Sequence, residues 1–324
     1  MSNDGVSPEL QRASGFKRLK ESGYGGLFLL CAAVTLLTTV AIFVTLLSDS
    51  LAFFSQVPLT EFLLGTEWSP NPRGGGQLFG IIPLVIGTVT VTLTAAVIAL
   101  PVGTLTAIYL SEYATNRARS ILKPLLEILA GIPTVVYGYF ALVYVTPALK
   151  ATLFPNMGTF NALSASLMIG IMTIPMVSSI SEDAMSAVPD SLRQAGYGLG
   201  ATKFEVSTGV VVPAALSGIV SSYILAVSRA IGETMIVVVA MGSQANMPPI
   251  KETLLGIPYI SPGDVLFESG MTITVSMVQI AGGDLTGGTI PYDSMFALGL
   301  TLFVITLVMN VLSDIIAERY REAY

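Results

Sequence analysis

One arginine and one glutamate interrupt a long uncharged, apolar stretch of the chain. Residues 206–228 and 234–250 carry no charge, and Arg229 and Glu233 lie between these two stretches. A charge at membrane depth costs at least about 2.5–3.5 kcal/mol on insertion scales, so such residues usually pair, face the protein interior and mark an ion or substrate path. The spacing of four places both side chains on one face of a helix.

The chemistry of this pair suits an anion. The guanidinium of Arg229 is planar and permanently charged, and its donors match the oxygens of an oxyanion. Glu233 would orient it and limit how tightly an anion is held, with Thr234 next in the chain. We therefore predict a substrate path through Arg229, Glu233 and Thr234. The alternative is a self-neutralised pair that only holds helices together.

The chain is poor in the residues that carry catalysis. It has no histidine, which removes the usual general base near neutral pH, and its single cysteine, Cys31, excludes a disulfide or a thiolate metal site within the chain. The dipeptide Gly-Lys is absent, so there is no phosphate-binding loop of the form G-x-x-x-x-G-K-[ST]. We predict no catalytic or metal site, and any ATP dependence must come from a partner.

The elements that position the charged pair are membrane spans. The chain has 324 residues, 52% hydrophobic and only 11% charged, with a mean hydropathy of +0.75. A soluble domain carries roughly 25% charged residues. Six segments are apolar and close to the length of about 20 residues that a helix needs to cross a bilayer. The sequence predicts an all-α integral membrane protein with spans near 26–47, 81–110, 125–147, 162–180, 214–241 and 295–316, after a cytoplasmic tail at 1–24.

Lysine and arginine set the orientation of these spans. With the N-terminus inside, three cations lie outside, Arg73, Lys150 and Lys251, and Arg229 lies within a span. Eleven lie inside: Arg12, Lys17, Arg18, Lys20, Arg117, Arg119, Lys123, Arg193, Lys203, Arg319 and Arg321. This distribution follows the positive-inside rule and predicts that both termini are cytoplasmic.

Two outer loops are long enough to serve as a docking surface. Residues 48–80 contain Trp68 and a turn-rich Pro-Asn-Pro-Arg-Gly-Gly-Gly stretch at 70–76. Residues 242–294 contain an uncharged stretch at 271–283 that is too short and polar to be a span. We interpret it as a re-entrant or interfacial segment. These loops suit the docking of a soluble protein, and plain external loops are the alternative.

The longest cytoplasmic loop, 181–213, predicts two short helices joined by a sharp turn. Asp190 or Ser191 can cap the first helix, a second starts near Thr202, and Pro213 suits the first turn of the fifth span. The loop lacks a basic recognition surface, so we predict no nucleic-acid binding. We interpret the loop as a rigid projection that another protein holds. The residues assigned to it are Arg193, Gln194, Ala195, Gly196, Tyr197, Gly198, Leu199 and Gly200.

This loop resembles the EAA loop of ABC-importer permeases. That loop reads Glu-Ala-Ala-x-x-x-Gly, then nine residues, then a branched apolar residue, x, Leu and Pro. The chain has Gln194 in place of the glutamate and Gly196 in place of the second alanine, so the resemblance rests on the spacing and on Ala195, Gly200 and Pro213. It implies a type I importer permease fold and a coupling helix that docks on an ATP-hydrolysing subunit.

Three further segments are similar to phosphate-import permeases. They are AIYLSEYA at 107–114, KPLLEILAGIPTVVYG at 123–138 and RAIGETM at 229–235, and the first span with the Trp68 connector favours the PstC type. The resemblance implies import of inorganic phosphate across the inner membrane. It implies three kinds of partner besides the bilayer: a second permease of the PstA type, two ATP-binding subunits carrying ATP and Mg, and an extracytoplasmic phosphate-binding protein. The alternatives are a permease for phosphonate, sulfate or molybdate, or an autonomous channel or secondary carrier.

Overall fold

The computed structural model describes residues 15–70, 76–252, 258–283 and 287–319. Within them the chain is helical apart from two short antiparallel ribbons, β1–β2 and β3–β4. The elements in chain order are α1 (Gly15–Phe54), α2 (Leu59–Leu64), β1 (Trp68–Ser69), β2 (Leu78–Phe79), α3 (Ile82–Ile108), α4 (Asn116–Gly131), α5 (Thr134–Phe140), α6 (Thr146–Thr152), α7 (Ala162–Ser186), α8 (Asp190–Gly198), α9 (Lys203–Val206), α10 (Val212–Ala214), α11 (Leu216–Ile231), α12 (Met235–Ala240), β3 (Ile250–Glu252), β4 (Pro258–Ile260), α13 (Pro262–Leu266), α14 (Ile273–Ala281) and α15 (Ile290–Arg319).

Four helices are long and apolar enough to cross a membrane on their own. They are Lys20–Phe54, Ile82–Tyr113, Ala162–Ser186 and Ile290–Leu312. Two further crossings come from bent pairs, Asn116–Gly131 with Thr134–Thr152 and Lys203–Ala214 with Leu216–Ile231. The described residues therefore provide six spans when each bent pair counts as one, and the prediction of an all-α protein with six spans is confirmed on that count.

The third predicted span, 125–147, is not one helix. The chain bends by 89° between α4 and the helix that follows it. Ile132 is extended, with φ −67° and ψ 130°, because the ring of Pro133 disfavours the α conformation in the residue before it. The first part of the predicted span thus belongs to α4, none of whose residues is buried.

The fifth predicted span, 214–241, is broken twice. The chain turns by 70° near Ala215, and α11 then ends at Ile231 with Gly232 as its C-cap. Glycine lowers helix stability by about 1 kcal/mol relative to alanine, so Gly232 favours the end of the helix at this position. The expectation that Arg229 and Glu233 share one helical face was therefore wrong, because Glu233 lies beyond the helix.

Other boundaries shift by smaller amounts. Helix α1 begins at Gly15, inside the predicted tail at 1–24, and α7 continues to Ser186, inside the predicted coupling loop at 181–213. Helix α15 begins at Ile290, five residues before the predicted span. Arg12, Arg73 and Arg321, which entered the charge count, lie outside the described residues.

The core lies between α3 and α7, which pack closely along their length. A Cβ added at Gly103 of α3 would come within 2.6 Å of Val177 in α7, so glycine allows this contact. Near the start of α3, Phe53, Phe62, Trp68 and Phe79 form a cluster of edge-to-face aromatic contacts. This cluster fixes the connector between α1 and α3, because Trp68 and Phe79 also pair across β1 and β2.

The uncharged stretch at 271–283 contains a short, partly buried helix. Helix α14 has nine residues, and the hydroxyl of Thr272 accepts from Val275 N–H at its start. Ile273 N–H donates to Thr88 Oγ1 of α3 at 3.1 Å, and Thr274 Oγ1 donates to the carbonyl of Glu233 at 3.0 Å. At 1.5 Å per residue the helix is too short to cross a bilayer. It instead ties the segment after α11 to α3.

Candidate functional site

Arg229 lies in the last turn of α11, against the middle of α7. Its Nη2 is 3.9 Å from the sulfur of Met172, which is ten residues after Ala162 in a helix of 25 residues. In the described part of the chain Arg229 has no ion pair. A permanently charged guanidinium therefore sits near the midpoint of a spanning helix, on an exposed residue, and the described residues supply no counter-charge to it.

Arg229 opens onto a cavity of about 330 Å³ between three helices. Helix α11 supplies Arg229, α4 supplies Glu127, and α7 supplies Ser179; the other lining residues are Leu126, Ala130, Met172, Pro175, Met176 and Ile180. The wall is thus mostly apolar and carries two charged side chains of opposite sign. Such a lining can bind a small polar solute and orient it through few groups.

Glu233 has a different role from the one its spacing suggested. Its carboxylate Oε1 accepts from Ile236 N–H at 3.2 Å, so it satisfies a free donor at the start of α12. The side chain is buried, at 8% exposure. Thr234 is half-buried and donates to the carbonyl of Gly232 at 3.3 Å. The structure brings neither residue into a hydrogen bond or ion pair with Arg229.

A buried carboxylate below this cavity is a feature that sequence reasoning missed. Glu182, near the C-terminal end of α7, has a fully buried side chain that accepts from Arg119 and from Lys123 Nζ, the latter at 2.8 Å. The next residue, Asp183, is exposed and lies 3.6 Å from Lys123. The signal was present in the sequence, because two cations spaced by four residues on α4 predict one charged face.

The coupling segment, residues 190–206, forms two short helices as predicted. Helix α8 starts after Pro189 without a side-chain cap, so the expectation that Asp190 or Ser191 caps it was wrong; Asp190 is the first helical residue. Thr202 caps α9 in a capping box with Glu205. The carboxylate of Glu205 accepts from the backbone N–H of Thr202 at 2.7 Å and from its hydroxyl at 2.8 Å.

Arg193 is held inside the protein rather than presented outward. Its Nη2 donates to Glu112 Oε1 at 3.1 Å and to the carbonyl of Met185 at 2.7 Å. Its Nη1 donates to the carbonyl of Val188 and to Asp190. Arg193 therefore links α8 to the end of the span that begins with α3 and to the end of α7.

The exposed residues of the coupling segment are mostly apolar side chains or small residues. Leu199 is 90% exposed, and Tyr197 and Phe204 are also exposed. Gln194, Ala195, Gly198 and Gly200 are exposed as well, whereas Gly196 is half-buried and packs on Val206. Gly200 has φ +85°, the left-handed conformation that its place after a short helix suggested. This conformation ends α8 and lets the chain turn into α9.

An ion pair connects two parts of the loop after α12. Lys251 Nζ lies 2.5 Å from Asp264 Oδ2, and this carboxylate raises the pKa of Lys251. Across the residues that the structure describes, no group of three or more His, Cys, Asp or Glu side chains is arranged to hold a metal ion.

Comparisons with known proteins agree with this architecture. Residues 99–322 match the family described as "Binding-protein-dependent transport system inner membrane component". The chain is 32% identical over 292 residues to "Probable ABC transporter permease protein YqgH" of Bacillus subtilis, covering 89% of this chain and 88% of that protein. It is 31% identical over 280 residues to "Phosphate transport system permease protein PstC" of Haemophilus influenzae, covering 81% and 82%.

Solved structures support the same fold. A bacterial ABC transporter for import of the polysaccharide alginate aligns with a TM-score of 0.63 at 14% identity, covering 95% of this chain and 99% of that one. The MetNI methionine ABC transporter in an inward-facing conformation aligns with a TM-score of 0.52 at 16% identity, covering 75% and 95%. At such low identity these likenesses concern the fold alone.

Proposed function

Because the chain belongs to the family of binding-protein-dependent transport system inner membrane components, we propose that it is a permease subunit of an ATP-driven importer of inorganic phosphate. It is a multi-pass transport subunit rather than an enzyme. Relatives at about 30% identity over most of the chain carry the name phosphate permease PstC, which supports phosphate as the substrate.

The observation that carries the substrate class is the position of Arg229. Its guanidinium lines a cavity beside the middle of α7 and has no anionic partner in the described chain. A charge left unpaired at this depth is costly unless a ligand or another subunit compensates it. A tetrahedral oxyanion would do so, since Arg donates two parallel hydrogen bonds to such groups. Glu233 and Thr234 shape the backbone after α11 rather than contact Arg229.

The coupling segment is the proposed contact with the ATP-binding subunits. Leu199, Tyr197 and Phe204 present exposed apolar surface on the cytoplasmic side, which suits a docking face. Two ATP-binding subunits would bind ATP and Mg, and their closure would move α8. Because Arg193 ties α8 to Glu112, this motion would reach the span that begins with α3. The spans would then switch between outward- and inward-open states by near-rigid movement.

The remaining partners complete the path. A homologous permease of the PstA type would contribute the other half of the spans, and an extracytoplasmic phosphate-binding protein would dock on the outer loops at 48–80 and 242–294. Both termini lie in the cytoplasm in this proposal, which the distribution of lysine and arginine supports.

Reconstitution tests the proposal. In proteoliposomes, the chain with a second permease, the ATP-binding subunits and the binding protein should hydrolyse ATP and take up labelled phosphate. Unlabelled sulfate, phosphonate or molybdate should compete poorly. The chain alone should do neither, because it contains no phosphate-binding loop for ATP. Phosphate flux through the purified single chain would identify a channel or secondary carrier instead, and preferential uptake of another oxyanion would reassign the substrate.

A further inference from the structure

The cavity beside Arg229 also contains a carboxylate without a partner. Glu127 of α4 lines it together with Arg229 and Ser179. The two charged side chains form no ion pair, which places the nitrogens of Arg229 more than 4.0 Å from the oxygens of Glu127. Within the described residues Glu127 accepts no hydrogen bond from any side chain or backbone group. Both side chains belong to exposed residues, and among the described residues Arg229 donates only to the sulfur of Met172, so this open cleft presents a donor set and an acceptor to a ligand.

The position of Glu127 is set by the ion pairs at the other end of α4. Arg119, Lys123 and Glu127 follow one another at intervals of four, so they lie along one face of the helix. Glu182 of α7 holds the first two against α7. The third therefore also faces α7, one turn closer to the cavity. Glu127 is part of the cavity wall because α4 is fixed there.

A fully deprotonated oxyanion could form hydrogen bonds with only one of the two charged side chains, that of Arg229. Arg229 can bind its oxygens, but an ionised carboxylate beside it accepts hydrogen bonds and donates none, so it repels an anion without a proton. An oxyanion that keeps an O–H group satisfies both sides. Its charged oxygens accept from Arg229, and its hydroxyl donates to Glu127. Hydrogen phosphate and dihydrogen phosphate have such a hydroxyl, and sulfate does not.

We infer that Glu127 accepts a hydrogen bond from the hydroxyl of a protonated oxyanion bound at Arg229, and that it makes the path selective for protonated over fully deprotonated tetrahedral anions. This inference rests on the proposed function. It adds a specificity-determining residue from a second helix, and it assigns the selection to the permease itself in addition to any selection by the binding protein.

The test compares phosphate with monofluorophosphate, a tetrahedral dianion that carries no acidic proton at mildly alkaline pH. Uptake of each is measured in proteoliposomes with the full complex, for the wild type and for Glu127→Gln. The same binding protein serves both, so its own preference cancels when the ratio of the two uptake rates is compared between variants. A hydrogen bond to a charged group contributes about 1.5–3 kcal/mol, so the ratio should move toward fluorophosphate by about tenfold or more.

Two variants separate selection from packing. Glu127→Asp keeps the carboxylate and should keep most of the wild-type ratio, whereas Glu127→Ala should lose it as Glu127→Gln does. Glu21→Gln, on the exposed cytoplasmic part of α1, is the control and should leave the ratio unchanged. If Gln, Ala and Asp all leave the ratio at the wild-type value, or all lower both uptake rates equally, the inference is wrong. Failure of the wild-type complex to take up phosphate would instead contradict the proposed function.

Discussion

The guanidinium of Arg193 lies 3.1 Å from the carboxylate of Glu112, 81 residues earlier in the chain. Both side chains are largely buried, at 15% and 5% exposure. Arg193 comes from α8 of the coupling segment, and Glu112 comes from the π-helical turn that ends the α3 span. This ion pair therefore links the coupling segment to the span that begins with α3.

Removing this ion pair should uncouple the coupling segment from the spans. Arg193→Ala leaves Glu112 buried without its cation and two carbonyls without a donor, so we expect a loss of roughly 3–5 kcal/mol in local stability. Thermal unfolding of the purified complex should shift downward, and phosphate uptake should fall more than ATP hydrolysis. Arg117→Ala removes an exposed arginine of α4 and serves as the control. Equal behaviour of the two variants would contradict the link.

Glu182 and Asp183 offer a matched pair for the clamp between α4 and α7. Glu182→Gln removes a fully buried carboxylate from two cations, and charge-assisted hydrogen bonds are worth about 1.5–3 kcal/mol each. Asp183→Asn removes an exposed carboxylate 3.6 Å from Lys123, and an exposed pair contributes at most about 1 kcal/mol. We expect a clear fall in melting temperature and in uptake for Glu182→Gln only. A fall of the same size for Asp183→Asn would show that burial does not set the effect.

Composition and hydropathy were sufficient to predict the spans, because a bilayer admits few alternatives to apolar helices. The same averages could not locate the breaks in the third and fifth spans. Both segments stay apolar through Ile132 and Ala215, so hydropathy continues where the backbone turns. Pro133 was the one local signal for the first break. The second, near Ala215, follows Pro213, which the sequence had placed at a helix start.

The site was only partly predictable for a related reason. Arg229 could be identified as a site residue from the sequence, because it is charged and lies within an apolar segment. Spacing alone suggested an ion pair with Glu233, but the helix ends at Ile231 and Glu233 caps α12 instead. Glu127 of α4 faces α7, and Glu182 of α7 faces α4, because of how the two helices pack. The spacing of Arg119 and Lys123 indicates a charged face on α4, but it does not identify the helix that this face contacts. Long-range packing of this kind needs the structure.

Arg229 gives the most direct test of the anion path. Arg229→Ala should abolish or severely reduce phosphate uptake, because no other cation lines the cavity in the described chain. Arg229→Lys keeps the charge but loses the planar donor set, so we expect partial uptake. Assembly of the complex, followed by co-purification, should be intact in both. Normal uptake by Arg229→Ala would leave the residue without a transport role, and collapse of assembly would favour a structural one.

Gly200 and Gly198 separate backbone conformation from side-chain space in the coupling segment. An added Cβ meets nothing within 4 Å at either position, but only Gly200 has a positive φ, at 85°. Gly200→Ala should therefore cost about 1–2 kcal/mol through left-handed strain alone. Gly198→Ala, at the end of α8, should be neutral or slightly stabilising. With the turn after α8 distorted, Gly200→Ala should take up less phosphate per ATP, and loaded binding protein should stimulate hydrolysis less. Wild-type stimulation in Gly200→Ala, matching Gly198→Ala, would show that the segment only connects two spans.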